Sequence, residues 1–142
     1  MATLGTRSKN NLKGVHPSLI KLINEAIKET PVDFTITSGV RTLAEQKALY
    51  AQGRTKPGCI VTKADGVKNK SNHQVKADGY GHAIDLCPYV DGEMDWNDES
   101  NFKIIAAHIK ATANCMGIKI TWGGDWTEQK QGIVDLPHFE LR

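Results

Sequence analysis

The chain has 142 residues, 39% of them hydrophobic and 24% charged, with a net charge of +2. That size suits one domain with a real core, and the composition excludes collagen-like, low-complexity and disordered classes. The charge is too small to imply nucleic-acid binding, and no stretch approaches the roughly 18–20 apolar residues of a membrane span.

Residues 1–14 carry basic side chains without an apolar core, which argues against a secretory signal. Cys59, Cys87 and Cys115 are odd in number and lack CxxC spacing. A disulfide framework and a cysteine zinc site are therefore not expected, and synthesis in a reducing cytoplasm is.

In chain order, His16-Pro17-Ser18 opens the first helix signal, with Leu19, Ile20, Ile23, Ala26 and Ile27 at helical spacing before Pro31 stops it. Val32 to Thr37 alternates apolar and polar and predicts a strand. A Thr42–Glu45 capping box then opens a second helix over 43–52, with Gly53 as its terminator. Residues 54–80 have no sustained period and carry Arg54, Lys56, Lys63, Lys68, Lys70 and Lys76. A stretch this long without structure of its own is usually functional or mobile.

His82 to Cys87 reads as a short strand, and Asp91-Gly92 as a hairpin turn into residues 93–96. Phe102, Ile105, Ala106, Ile109, Ala113 and Met116 share one face of a third helix over 99–116, which Gly117 ends. Residues 118–122 and 137–141 predict the last strands, separated by a loop that starts at Gly123. Strands and helices neither alternate as βαβ units nor repeat. The expected architecture is α+β: a small, mostly antiparallel sheet with about three helices packed around it, forming a single domain over 1–142.

His73, Asp85 and the pair Asp135/His138 lie where the chain enters or leaves predicted strands. A catalytic zinc needs about three protein ligands from His and carboxylate, with one position open to water. His73, Asp85 and His138 would supply a His₂Asp set. Asp135, three residues before His138, could hydrogen-bond that water, take its proton and later pass it to a leaving amine. On spacing alone, solvated histidines and turn-forming carboxylates explain these residues better than a metal site does.

Five segments occur in order from His16 to the end of the chain. Ser71-Asn72-His73, Gly81-His82-Ala83-Ile84-Asp85 and Asp135-Leu136-Pro137-His138-Phe139-Glu140 resemble the SxHxxGxAxD and (D/E)xxHxE motifs of the LAS zinc peptidases. Ser38-Gly39-Val40-Arg41 is similar to that superfamily's SGxR segment, and Trp122-Gly123-Gly124-Asp125-Trp126 to its WGGDW segment. The superfamily includes VanY-type D-Ala-D-Ala carboxypeptidases and phage L-alanyl-D-glutamate endopeptidases, and the compact phage endolysins are nearest in size and layout.

The resemblance implies the LAS peptidase fold and one catalytic zinc on His73, Asp85 and His138. It puts Asp135 in the place of the base and Arg41 against substrate and the developing oxyanion, where a rigid, permanently charged fork of donors suits the task. Ser71 would touch substrate or the loop backbone. Glu140 points the same way as His138 in a strand, and would accept the free N–H of a ligand histidine and fix its tautomer.

His73 precedes Asp85 by twelve residues, where the family motif has seven, and the additional residues fall in 74–80. The rival ligand, His82, is an odd number of positions from Asp85, so the two side chains would leave one strand on opposite faces. Cys87 is expected to be a small buried thiol. The alternating acids Asp91, Glu93 and Asp95 lack the glycine and glutamate of a calcium loop and read as part of a hairpin.

The expected function is a zinc-dependent peptidoglycan peptidase of endolysin type, cutting the L-alanyl-D-glutamate bond of the stem peptide. The alternatives are a D-alanyl-D-alanine carboxypeptidase and a non-catalytic wall-binding or phage structural module. The substrate would be bacterial peptidoglycan, with no nucleic-acid or membrane partner, a monomeric state, and holin-type release from the host cytoplasm. The lysine-rich 54–80 segment would frame the groove or simply remain solvated.

Overall fold

A computed structural model describes residues 2–58, 60, 62, 64–68, 70–126 and 134–142; Cys59 and Lys63 lie outside the described residues. The elements are α1 (Thr6–Asn11), α2 (Pro17–Lys28), β1 (Phe34–Ser38), α3 (Leu43–Ala51), β2 (Ala83–Val90), β3 (Glu93–Met94), α4 (Glu99–Met116), β4 (Ile120–Trp122) and β5 (His138–Leu141). The α+β expectation holds.

Helix α1 is additional to the expected helices. Its own six residues offer no apolar period: Leu4 and Leu12 enter the core on either side of it, and between them Ile36 N–H donates to the buried Ser8 Oγ at 2.9 Å and Asn11 Nδ2 donates to the Ile36 carbonyl at 2.8 Å. Helices α2 and α4 follow the hydrophobic pattern instead, burying Leu19, Leu22, Ile23, Ala26 and Ile27 on one and Phe102, Ile105, Ala106, Ile109 and Ala113 on the other. The Thr42–Glu45 capping box is formed, and Gly117 closes α4 in the left-handed conformation at φ 71°.

Every strand pairing is antiparallel, in the order β1-β2-β5-β4, with β3 returning along the far end of β2. Asp91 (φ 52°) and Gly92 (φ 82°) make the β2–β3 turn, the backbone that an Asp-Gly pair favours. Strand β2 extends three residues beyond the predicted end at Cys87, and its Pro88 sits within it. Cys87 is buried, as expected.

Alternation along the strands divides the sheet into two faces. Ile36, Ile84, Leu86 and Phe139 join the core formed with α2 and α4. Asp85, His138 and Glu140 face the other way, and Asp85 is the direct cross-strand partner of His138. At β1 the register shifts between Ile36 and Ser38, and this irregularity leads the chain into Gly39 and Arg41 beside Asp85.

Candidate metal centre

Pairing between β2 and β5 puts Asp85 opposite His138, but His73 arrives from the loop segment. Two main-chain bonds fix it there: Arg41 N–H donates to the His73 carbonyl at 2.8 Å, and His82 N–H to the Asn72 carbonyl at 2.8 Å. Ser71 Oγ accepts the His73 N–H at 3.2 Å, so the Ser71 hydroxyl supports the turn that carries His73.

The three side chains converge. His73 Nε2 lies 3.1 Å from His138 Nδ1, and Asp85 Oδ1 lies 3.4 Å from the first and 3.5 Å from the second. Ligands bound at about 2.0–2.1 Å in a tetrahedral zinc sphere stand roughly 3.3–3.4 Å apart, so the spacing matches such a sphere.

The remaining ring nitrogens agree with this. His73 Nδ1 donates to the Gly39 carbonyl at 2.8 Å, and His138 Nε2 donates to Glu140 Oε1 at 2.6 Å. With both rings neutral, as metal ligation requires, each turns a lone pair toward its neighbour and toward an anionic oxygen. Among the described residues, Asp85 Oδ1 is a buried oxygen with no hydrogen-bond partner. Three electron-pair donors this close repel one another unless a cation lies between them. The donor set fits a divalent metal.

Around these donors is a layer that spacing did not disclose. Asn72 Nδ2 donates to Glu140 Oε2 at 2.6 Å, which holds the carboxylate that holds His138. Arg41 Nη2 reaches Asp85 Oδ2 at 3.4 Å, and its Nη1 donates to Gln46 Oε1 at 2.8 Å. Gln46 is fully buried and donates through Nε2 to the Ala64 carbonyl at 2.7 Å. Periodicity offers no signal for Gln46, because α3 has no apolar face and Gln46 is its one buried residue.

The 3-10 turn Gly123–Asp125 places the segment that carries Asp135. Trp122 Nε1 donates to the Leu136 carbonyl at 2.7 Å, Asp135 N–H donates to the Gly123 carbonyl at 3.0 Å, and the Trp126 ring lies 4.8 Å from that of His138. A Cβ on Gly123 would press into the Asp135 carbonyl and stand 3.0 Å from the Cβ atoms of both Asp135 and His138. Only glycine allows this approach.

The whole chain, residues 1–142, matches the family described as phage L-alanyl-D-glutamate peptidase. The chain belongs to this family. It is 33% identical to the L-alanyl-D-glutamate peptidase of Escherichia phage T5 across 96% of each chain. It is 36% identical to the peptidoglycan L-alanyl-D-glutamate endopeptidase CwlK of Bacillus subtilis (strain 168), over 89% of this chain and 73% of that protein.

Among solved structures, the Serratia marcescens L-Ala D-Glu endopeptidase ChiX superposes with a TM-score of 0.72 at 29% identity, covering 96% of this chain and 87% of that one. The vancomycin resistance D,D-dipeptidase VanXYg shares the fold, with a TM-score of 0.52 at 21% identity over 87% of this chain and 47% of that one. The expected LAS-type fold and peptidase class therefore stand.

Electrostatics in the peptidase set its acids apart. Burial opposes ionisation of Asp85, but His73 and His138 overcome it and hold that carboxyl well below the ordinary carboxylate range. Asp135 moves the other way, raised first by burial and then by the nearby Asp85 charge. Burial alone would lower His138; the carboxylates of Asp85 and Glu140 beside it prevail and raise it from 6.5 to about 9 in the metal-free protein. His82 turns away from this centre and pairs with Asp78 at 2.6 Å.

Proposed function

We propose that this L-alanyl-D-glutamate peptidase works on bacterial peptidoglycan through one zinc ion held by His73, Asp85 and His138. The observation that carries this reading is the convergence of those three donors at 3.1–3.5 Å, with both outer ring nitrogens already committed. When bound, zinc supplies Lewis acidity, polarising a carbonyl and making water acidic near neutral pH.

The chain's own residues do the rest. Asp135, whose raised pKa suits a group that must accept and then release a proton, takes the proton of the attacking water and returns it to the departing D-glutamate amine. Arg41, held in place by Gln46 and Asp85, donates to the carbonyl oxygen as negative charge develops there. Glu140, held by Asn72, fixes the His138 tautomer. Ser71 lies beside His73 with its O–H free to donate to substrate main chain once its oxygen has accepted the His73 N–H.

In this reading residues 1–142 act as one catalytic domain and a monomer, reaching the wall after release from the host cytoplasm. No helix among the described residues is long and apolar enough to cross a membrane. Mass spectrometry of purified stem peptide tests the proposal. The expected products separate L-Ala from D-Glu, and Asp135→Ala, folded and metal-loaded, gives none. Release of terminal D-Ala alone, or full turnover by Asp135→Ala, overturns it.

A further inference from the structure

We propose that His16, Asp78 and His82 form a second, weaker site for a transition-metal dication of the zinc, nickel or copper class. His82 Nε2 lies 2.6 Å and His16 Nε2 3.9 Å from the same oxygen, Asp78 Oδ2, and the imidazole centroids are 5.1 Å apart. One donor atom from each of the three residues falls within a 4.8 Å span. Two imidazoles and a carboxylate suit borderline metals rather than calcium or magnesium, which prefer oxygen shells.

The two histidines are held by main chain, not by each other. His16 N–H donates to the Gly81 carbonyl at 2.9 Å and Gly81 N–H to the Gly14 carbonyl at 3.0 Å. His82 lies between Asn72 and Leu141, donating to the first at 2.8 Å and accepting from the second at 2.9 Å. Asp78 is supplied by the turn over 76–80, where Asp78 Oδ1 accepts the Tyr80 N–H at 3.0 Å and leaves Oδ2 for the histidines. Side-chain exposures of 29%, 39% and 21% for His16, Asp78 and His82 leave room for water to complete a coordination sphere.

Two features make this site weaker than the first. Its donors are unevenly spaced, at 2.6 and 3.9 Å from one carboxylate oxygen, and must shift to embrace an ion, whereas the catalytic centre already holds a 3.1–3.5 Å triangle. In addition, His16 Nδ1 accepts the Ser18 N–H at 3.1 Å and so caps α2. Ligation through Nε2 puts the ring proton on Nδ1, so the metal and the helix cap compete for one imidazole. Occupancy would fasten the additional residues 74–80, which separate His73 from Asp85 in this chain, onto the start of α2.

Titration of the dialysed holoenzyme with zinc alone, followed by calorimetry and elemental analysis, tests the site. Wild type is expected to keep one tight equivalent and to take up a second in the micromolar range, with a rise in thermal midpoint at the second. Asp78→Asn and His82→Ala should weaken only the second by more than about tenfold, the scale on which even outer-sphere partners act. Both should retain the tight equivalent and wall-lysing activity without added metal.

Uptake of a single equivalent by wild type up to millimolar zinc overturns the proposal. So does a second equivalent unchanged in Asp78→Asn and in a His16→Ala/His82→Ala double variant. The tight equivalent is counted separately, so failure of the catalytic reading registers on His73→Ala instead.

Discussion

Glu140 Oε1 stands 2.6 Å from His138 Nε2, two residues away on the same face of β5. That contact puts a His138 proton on the nitrogen that faces away from His73 and Asp85, and Asn72 holds the carboxylate from its other side. Glu140→Ala is expected to lower zinc affinity by about 10- to 100-fold, the usual cost of losing such a partner. Asn72→Ala should have a smaller effect in the same direction. Competition against a chelator measures both, and unchanged affinity in Glu140→Ala would show that the contact does not tune the metal.

Asp135→Asn should cut kcat by about 100- to 10,000-fold, the range of general acid–base catalysis, with the metal retained. Burial and the Asp85 charge raise the Asp135 pKa, so folding favours its protonated form. The stability this provides is present below 3.8 and lost as pH rises through the raised value. At neutral pH the charged Asp135 therefore weakens the fold, and Asp135→Asn should melt no lower than wild type. In the wild-type pH profile, turnover should fall away on the acid side as Asp135 takes up its proton. Thermal melting and a pH–rate profile check these two signs.

Metal removal should reverse a pH dependence. In the stripped protein His138 is raised from 6.5 to about 9, so its contribution is present below 6.5 and is lost as pH rises through about 9. With zinc the trend inverts, because metal and protons compete for the same lone pair and binding strengthens as pH rises. Denaturant melts of stripped and zinc-loaded protein across this window should diverge with increasing pH. Parallel curves would count against His138 as a ligand.

Gly123→Ala should be costly far beyond its single methyl group. The new Cβ presses on the Asp135 carbonyl and sits 3.0 Å from the Cβ atoms of Asp135 and His138, so the base and a proposed ligand must both move. Overpacking of this kind typically costs about 1–3 kcal/mol. A lower melting temperature together with lost turnover is expected, and loss of only one of the two would argue that the turn yields easily.

Arg41→Lys should lower kcat by about 100- to 1,000-fold, the scale of an oxyanion donor, while zinc stays bound. A single ammonium cannot serve Gln46 and Asp85 as the guanidinium fork does at 2.8 and 3.4 Å and still face substrate. Turnover and metal content measured on the same preparation separate this outcome from simple loss of the ion.

The sequence by itself determined the α+β class, the α2, α3 and α4 helices and the Asp91-Gly92 hairpin, because apolar period, capping residues and turn chemistry are local properties. It also carried the ordered motifs, and it anticipated the Glu140–His138 relation, because a two-residue step along a strand returns to the same face. Helix α1 was not legible, since its own six residues are polar, with Leu4 and Leu12 in the core just outside it and Ser8 and Asn11 hydrogen-bonded to Ile36. Only tertiary structure decided that His73 meets Asp85 and His138, because main-chain bonds from Arg41 and His82, remote from any periodicity, fix that loop. The same holds for Gln46 and Asn72. Their roles arise from which buried polar atoms need partners, and that depends on neighbours brought together from distant parts of the chain.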